Sequence, residues 1–469
     1  MEEKVEIIET GDGVSSLKNQ CPNCGARELK FNEEKGKIHC LFCESTFDSK
    51  EIEGIEKDLN TLNKKRVGSG ARDIDTNFND IMTFRCPSCG AEVVVDTKTS
   101  TQARCHWCRG ILTINERIEN GAVPDAILPF KIKKEDAMKE INNFVSKRQF
   151  YALPQFKKEF TADNTFGVYF PYLLVDVNAH CKYRGEGEEL IRSYKVNKHT
   201  RYDARAYNVE REFDITIDDL TIESSSDRLD KKNNSKTNNI INSIMPFDTE
   251  NCVAFESNYL VGYTSEKRNV NISNLKDKSN AEIKDVIRVS LHEFTKKYNR
   301  GVSWKEEDVN ILGSQWIAAY LPVWLYSYIE KEGNNEITHY IAVNGRTKET
   351  MGSVPLNESR LFLVSALIEI ISIILYFLIF GSDGFSIWSF LFVLLSGFLY
   401  YSSIHKKYRN QDKRHTYEKE TKNNITNLVS NDSFIEERKR LSSSSIVSRN
   451  DNLVIGDNVK LNENKEKNS

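Results

Sequence analysis

The strongest constraint on this chain is a pattern of paired cysteines that occurs twice. CPNCG (21–25) is followed by HCLFC (39–43), and CPSCG (86–90) by RCHWC (104–108). The copies sit 65 residues apart, and fifteen residues separate the pairs within each. A Cys-x-x-Cys turn presents two sulfurs to one ion, and Zn²⁺ takes four such ligands in a tetrahedron. Pro22 and Pro87 pre-set the turn, and Gly25 and Gly90 follow the second Cys, where a left-handed backbone is easily taken. The candidate ligands are Cys21, Cys24, Cys40 and Cys43 for one Zn²⁺, and Cys86, Cys89, Cys105 and Cys108 for a second. Four protein ligands leave no open position, so both ions are expected to be structural rather than catalytic. Iron is the alternative metal for such a site. His39 and His106 neighbour ligand positions but are surplus to a set that already has four sulfurs.

The second constraint is hydrophobic. LFLVSALIEIISIILYFLIF (361–380) carries one charge in 20 residues, and SIWSFLFVLLSGFLYYSSI (386–404) carries none. At ~1.5 Å per residue the first run spans ~30 Å, the thickness of a hydrocarbon core. The link GSDGF between them forces a helical hairpin. HKKYRNQDKRH (405–415) follows the pair and Arg346, Lys348 and Arg360 precede it, whereas the turn holds only Asp383. By the positive-inside rule both ends are cytoplasmic, in a multi-pass protein of the cell membrane with two helices. Thiolate ligands and the lack of an apolar leader in MEEKVEIIET agree with that reducing compartment. Glu369 lies midway along the first helix, with Ser365 and Ser372 on its face, and Ser396 and Gly397 lie at the same depth on the return. A central carboxylate costs about 2.5–3.5 kcal/mol to insert. The expectation is a protonated Glu369 facing Ser396 and packing the hairpin, ahead of a role in proton or partner sensing.

Between these features the chain reads as multidomain: a first zinc ribbon (1–48), a polar linker with a short helix (49–83), a second ribbon (84–121), an α+β domain (122–360), the transmembrane hairpin (361–404), and a basic juxtamembrane segment with a disordered tail (405–469). Within 122–360, EDAMKEINNFVSKR (135–148) has helical spacing, as does 282–298 with Ile283, Ile287, Leu291, Phe294 and Tyr298 on one face. GVYFPYLLVDVN (167–178) and AAYLPVWLYSYI (318–329) share a Tyr-x-Pro and read as strands, and ILPFK is echoed by IMPFD, which suggests two diverged halves as readily as chance. HYIAVNGRTKETMGSVPL (339–356) predicts a hairpin turning at Asn344-Gly345, and 224–240 a polar loop. Cys181 and Cys252 are expected as free buried thiols rather than a disulfide.

Enzyme signatures are missing. No phosphate-binding GxxxxGK[ST], HExxH or GxSxG occurs, and GEGEE (185–189) does not match a dinucleotide fingerprint, so no catalytic residue is assigned. Nucleic acid is disfavoured as a partner. Net charge is −3, and residues 1–120 carry 17 Lys+Arg against 21 Asp+Glu, with no basic footprint for phosphates. Arg104, His106, Trp107 and Arg109 cluster in the second knuckle, where Trp107 could stack on a base, but packing of Trp107 on its own small module is the better reading.

Taken together, the tandem CPxCG…CxxC pairs, the LPFKI start, the Tyr-x-Pro strands, LPVWLYSY (321–328), HYIAVNGRT (339–347) and the C-terminal hydrophobic pair resemble bacterial TFIIB-type zinc-ribbon-containing membrane proteins, the YdjG-like family, over residues 20–405. That resemblance implies work at the cytoplasmic membrane beside SPFH-type and phage-shock-type stress proteins. The expected function is a membrane-anchored cytoplasmic scaffold or adaptor that recruits partner proteins, with a membrane-tethered nucleic-acid-binding factor as the alternative.

Overall fold

The structure, a computed structural model, describes residues 5–8, 10, 21–26, 29–72, 81–85, 91–96, 103–107, 111–112, 124–196, 199–225, 244–260, 262–266, 268, 270–332, 335–380, 393–409, 425–441 and 461–467. Two strands of 31 residues each, β11 (Phe166–Val196) and β15 (Val302–Glu332), pair antiparallel and organise the rest. Their aromatic and β-branched residues suit a pleated sheet buried on both faces. β11 turns into β12 (His199–Glu223) and β15 into β16 (Asn335–Asn344), each antiparallel to its predecessor.

The two Tyr-x-Pro motifs meet across the central pair: Tyr169 lies opposite Pro322 and Pro171 opposite Tyr320. A proline in a central strand must sit where its missing N–H is not needed. Pro171 falls between the stretch of β11 paired with β14 (Thr264–Glu266) and the stretch paired with β12. Pro322 falls between the stretch of β15 paired with β10 (Ala126–Ile127) and the stretch paired with β16. Each proline thus occupies a gap in its second ladder. The same order, LPF or MPF, then a helix, then a long strand, occurs twice: 128–130, α1 (Lys134–Ser146), β11, and 245–247, α3 (Ile272–Phe294), β15.

Smaller strands extend this sheet. β5 (Lys65–Gly68) lies parallel to both β15 and β1 (Val5–Ile8), β13 (Val253–Ala254) pairs with β10, and β17 (Thr350–Gly352) with β16. Asp125 ties this edge together. Its buried carboxylate accepts from the amides of Gly70 (2.6 Å) and Ala318 (2.8 Å) and from the Thr10 hydroxyl. Desolvation raises its pKa against those bonds. One sheet face, formed by alternate residues from Leu173 to Tyr183, packs on Ile283, Val286, Ile287 and Leu291 of α3. Phe294 does not share that face: α3 ends there and the ring is exposed, while Tyr298 is buried beyond the helix end. α1 buries Ala137, Ile141, Phe144 and Val145, and α2 (Pro154–Glu159) buries Phe156.

Several expectations change. Within 49–72 the expected helix and free linker are replaced by a short 3₁₀ turn, then β5, whose Val67 is buried, then a second 3₁₀ turn; residues 73–80 lie outside the described residues. The segment passes so close to β15 that a Cβ on Gly313 would lie 2.5 Å from the Leu62 carbonyl carbon. The first-ribbon boundary also moves, since β1 belongs to the large sheet. In the tail, β18 (Thr426–Leu441) pairs with β12, and β19 (Leu461–Lys467) with β18, in place of disorder. The outer edge of β12 offers a row of unpaired backbone groups that a polar strand can satisfy without a core of its own. The connection after Asn344 is longer than a two-residue hairpin. The buried Asn344 side chain donates to the carbonyls of Ile244 (2.9 Å) and Pro246 (3.0 Å), and its Oδ1 accepts from the amides of Arg346 and Thr347. GEGEE lies within β11, where a Cβ on Gly187 would strike the Tyr298 ring at 2.7 Å. Residues 226–240 of the expected polar loop lie outside the described residues.

Candidate metal centre and helix pair

β2 (Leu29–Asn32), β3 (Lys37–Cys40) and β4 (Thr46–Phe47) form a separate antiparallel sheet that carries the first cysteine set. All four sulfurs of Cys21, Cys24, Cys40 and Cys43 lie within 4.8 Å of one another. Cys21 and Cys43 are 3.4 Å apart and Cys24 and Cys40 3.7 Å apart. A disulfide needs about 2.05 Å. Tetrahedral metal–sulfur bonds of about 2.3 Å give S···S edges of ~3.8 Å. The cluster can therefore hold a metal ion such as zinc.

Each knuckle is built by its backbone. Gly25 N–H donates to the Cys21 carbonyl (2.7 Å) and Glu44 N–H to that of Cys40 (3.0 Å), with positive φ at both residues. The Cys24 amide points at the Cys21 sulfur (3.4 Å). The hydroxyl and amide of Ser45 hold the Cys43 thiol down to about 5, whereas, against the Ala26 backbone bond, burial and the neighbouring sulfurs push Cys24 up to about 12. His39 lies outside the sulfur cluster. The module is docked on the large body: Phe31 packs on Tyr259 with ring centres 5.1 Å apart, and Tyr263 donates to Glu33.

Cys86, Cys89 and Cys108 lie outside the described residues, while Cys105 is buried. Around them, β6 (Ile81–Arg85) pairs with β7 (Glu92–Asp96), and β8 (Ala103–Arg104) with β9 (Ile111–Leu112). β7 also pairs with β14, which joins the second module to the central sheet. Trp107 does not merely cover its own module. It is 5% exposed and meets Phe170 (5.6 Å) and Tyr340 (5.0 Å) edge-on. His106 is fully buried against Phe170, its carbonyl accepts from Ser327 (3.0 Å), and burial pushes its imidazole down to about 3. Neither ring is free to stack on a base.

The repeat offset equates His106–Trp107 with Leu41–Phe42 in the first module. There the outcome is opposite: Leu41 is 57% and Phe42 78% exposed. Sequence reasoning missed this contrast, because the dipeptides differ only in size and polarity and nothing local says which knuckle faces the sheet.

Among the described residues one helix is long and apolar enough to cross a membrane. It lies within α4 (Glu358–Phe380), over Glu358–Ile379, and only 11% of its apolar window is buried. Leu378 and Ile379 are 75% and 71% exposed. Residues 381–392 lie outside the described residues, and the second run emerges as α5 (Ser396–Arg409), which continues past 404 into the basic segment. Glu369 on α4 meets the start of α5. Its Oε2 accepts from the Gly397 amide (2.7 Å) and the Ser396 hydroxyl (3.1 Å), while Oε1 is buried and has no hydrogen-bond partner among the described residues. A Cβ on Gly397 would lie 2.7 Å from the Ser365 carbonyl, so glycine permits this approach.

The other ends of both helices are fastened to the folded body. Asn357 N–H donates to the Tyr151 carbonyl (2.7 Å), the Tyr408 hydroxyl accepts from the Tyr151 amide (2.8 Å) and donates to the Arg148 carbonyl, and Arg148 Nε donates to the Lys407 carbonyl (3.1 Å). Cys181 and Cys252 are both free thiols, and burial pushes Cys181 up to about 12.

Comparison with curated proteins finds 21% identity over 346 residues to the uncharacterized protein YdjG of Bacillus subtilis (strain 168), covering 73% of this chain and 91% of that protein. The chain is similar to YdjG. That likeness assigns no activity, and nothing in it marks the chain as an enzyme. No family model and no solved structure matches the chain.

Proposed function

We propose that the chain is a membrane-anchored cytoplasmic scaffold that recruits partner proteins, built from two diverged halves. The observation that carries this reading is the contrast between the two knuckles. One inserts its dipeptide into the chain's own sheet, while the other presents Leu41 and Phe42 to solvent from the turn between two candidate metal ligands, Cys40 and Cys43. An exposed aromatic beside an aliphatic residue on a preorganised loop is the kind of anchor that fills a pocket on another protein. In this reading a second Zn²⁺ sits on Cys86, Cys89, Cys105 and Cys108. α4 and α5 are the two legs of a transmembrane hairpin with both termini in the cytoplasm. That arrangement is supported by the outward apolar face of α4 and by the common attachment of both helix ends to one side of the body. Glu369 is then a protonated carboxyl that fastens the legs, since a neutral acid costs far less in lipid than its anion. The YdjG-like resemblance adds SPFH-type or phage-shock-type membrane stress proteins as the partners of choice. The nucleic-acid alternative has no supporting observation, with His106 and Trp107 buried.

The anchor is tested by washing membranes with alkaline carbonate. The full chain is expected to remain in the pellet. Its release into the supernatant would remove the membrane part of the proposal.

A further inference from the structure

We propose that the corner after α1 and the ends of the helix pair form a collar that binds the headgroups of anionic phospholipids. The inference rests on the membrane reading of α4 and α5 and adds a lipid preference to it.

The corner residues 147–151 sit directly on the helix ends. The Tyr151 hydroxyl is 2.8 Å from that of Tyr400, and Arg148 bonds the Lys407 carbonyl. From this fixed base Phe150 projects outward, 56% exposed, although it is a large aromatic. The guanidinium of Arg360 lies 4.3 Å from its ring centre. Arg360 stands in the first turn of α4, and the exposed apolar band begins two residues later with Phe362 and Leu363. Phe150 therefore lies where α4 leaves the polar body and becomes oily. Aromatic rings collect at that level of a bilayer.

Charge completes the collar. Lys147, Arg360, Lys406 and Lys407 are all exposed, and none forms an ion pair with a carboxylate among the described residues. Glu358 is the acidic neighbour in the same turn as Arg360, so the balance stays positive. Elsewhere on this body several exposed cations are paired, as with Arg184, Arg192 and Arg288. Cations left unpaired beside an apolar helix face match a surface of lipid phosphates, where each Lys or Arg contributes roughly fivefold in affinity.

The test is native mass spectrometry of the detergent-solubilised full chain titrated with phosphatidylglycerol or phosphatidylcholine. Wild type is expected to retain phosphatidylglycerol at least tenfold in preference. A variant with Lys147→Gln, Arg360→Gln, Lys406→Gln and Lys407→Gln should lose that preference while keeping its metal content and carbonate resistance. Phe150→Ser should weaken retention with the charges intact. A wild type that resists carbonate but shows no preference would overturn this inference alone, and so would a variant that keeps the preference or full competition by inorganic phosphate. Extraction of the wild type by carbonate would overturn the anchor itself.

Discussion

Trp107→Ala should destabilise the folded body by about 3–5 kcal/mol, whereas Phe42→Ala should change it by no more than about 0.5 kcal/mol. The two residues are equivalent in the repeat, so local sequence predicts equal effects. The structure separates them by environment. Trp107 is enclosed by His106, Phe170 and Tyr340, and its removal leaves a cavity between the second module and the sheet. Phe42 has little contact to lose. Chemical denaturation of the solubilised chain measures both. A small, equal loss for the two variants would mean that the second knuckle is not docked.

Removing the metal should unlock the first module while leaving the long strands folded. Its own buried apolar set is small, Leu29, Phe31 and Ile38 beside Cys21 and Cys40, far below what a free domain of that size requires. After chelation the amides of β2, β3 and β4 should lose hydrogen-exchange protection, and those of β11 and β15 should keep it. Cys40→Ser should have the same effect and remove one metal equivalent per chain. Release should become easier as pH falls, because each ligand binds as a thiolate and protons compete with the ion. Protection of β2–β4 that survives chelation would show that docking on Tyr259, not metal, holds the module.

Some of this was written plainly in the sequence, and the reasons are physical. Cysteine spacing is read at short range, so the first sulfur cluster follows directly from CPNCG and HCLFC. The depth match between Glu369 and Ser396–Gly397 follows from helical rise alone, and the structure brings these residues together. Strand identity in 167–178 and 318–329 is equally local, because aromatic and β-branched residues repeat there. What stayed hidden depends on distant partners. Lys65–Gly68 has no pattern of its own and becomes a strand because β15 and β1 pass on either side of it. Thr426–Leu441 lacks a core and is recruited by the open edge of β12. The fate of each knuckle dipeptide is decided by whether Phe170 and Tyr340 lie opposite, and no spacing within the ribbon encodes that.

Docking of a partner on the Cys40–Cys43 turn at the membrane can be tested with a photo-crosslinking residue placed at position 42 of the full chain in its native membranes. A discrete crosslinked protein is expected from position 42 and should be absent when the probe stands at Lys35, an exposed position on the same module. The adduct should vanish when Leu41 is changed to Ser. Equal labelling from positions 42 and 35, or none from either, would contradict it.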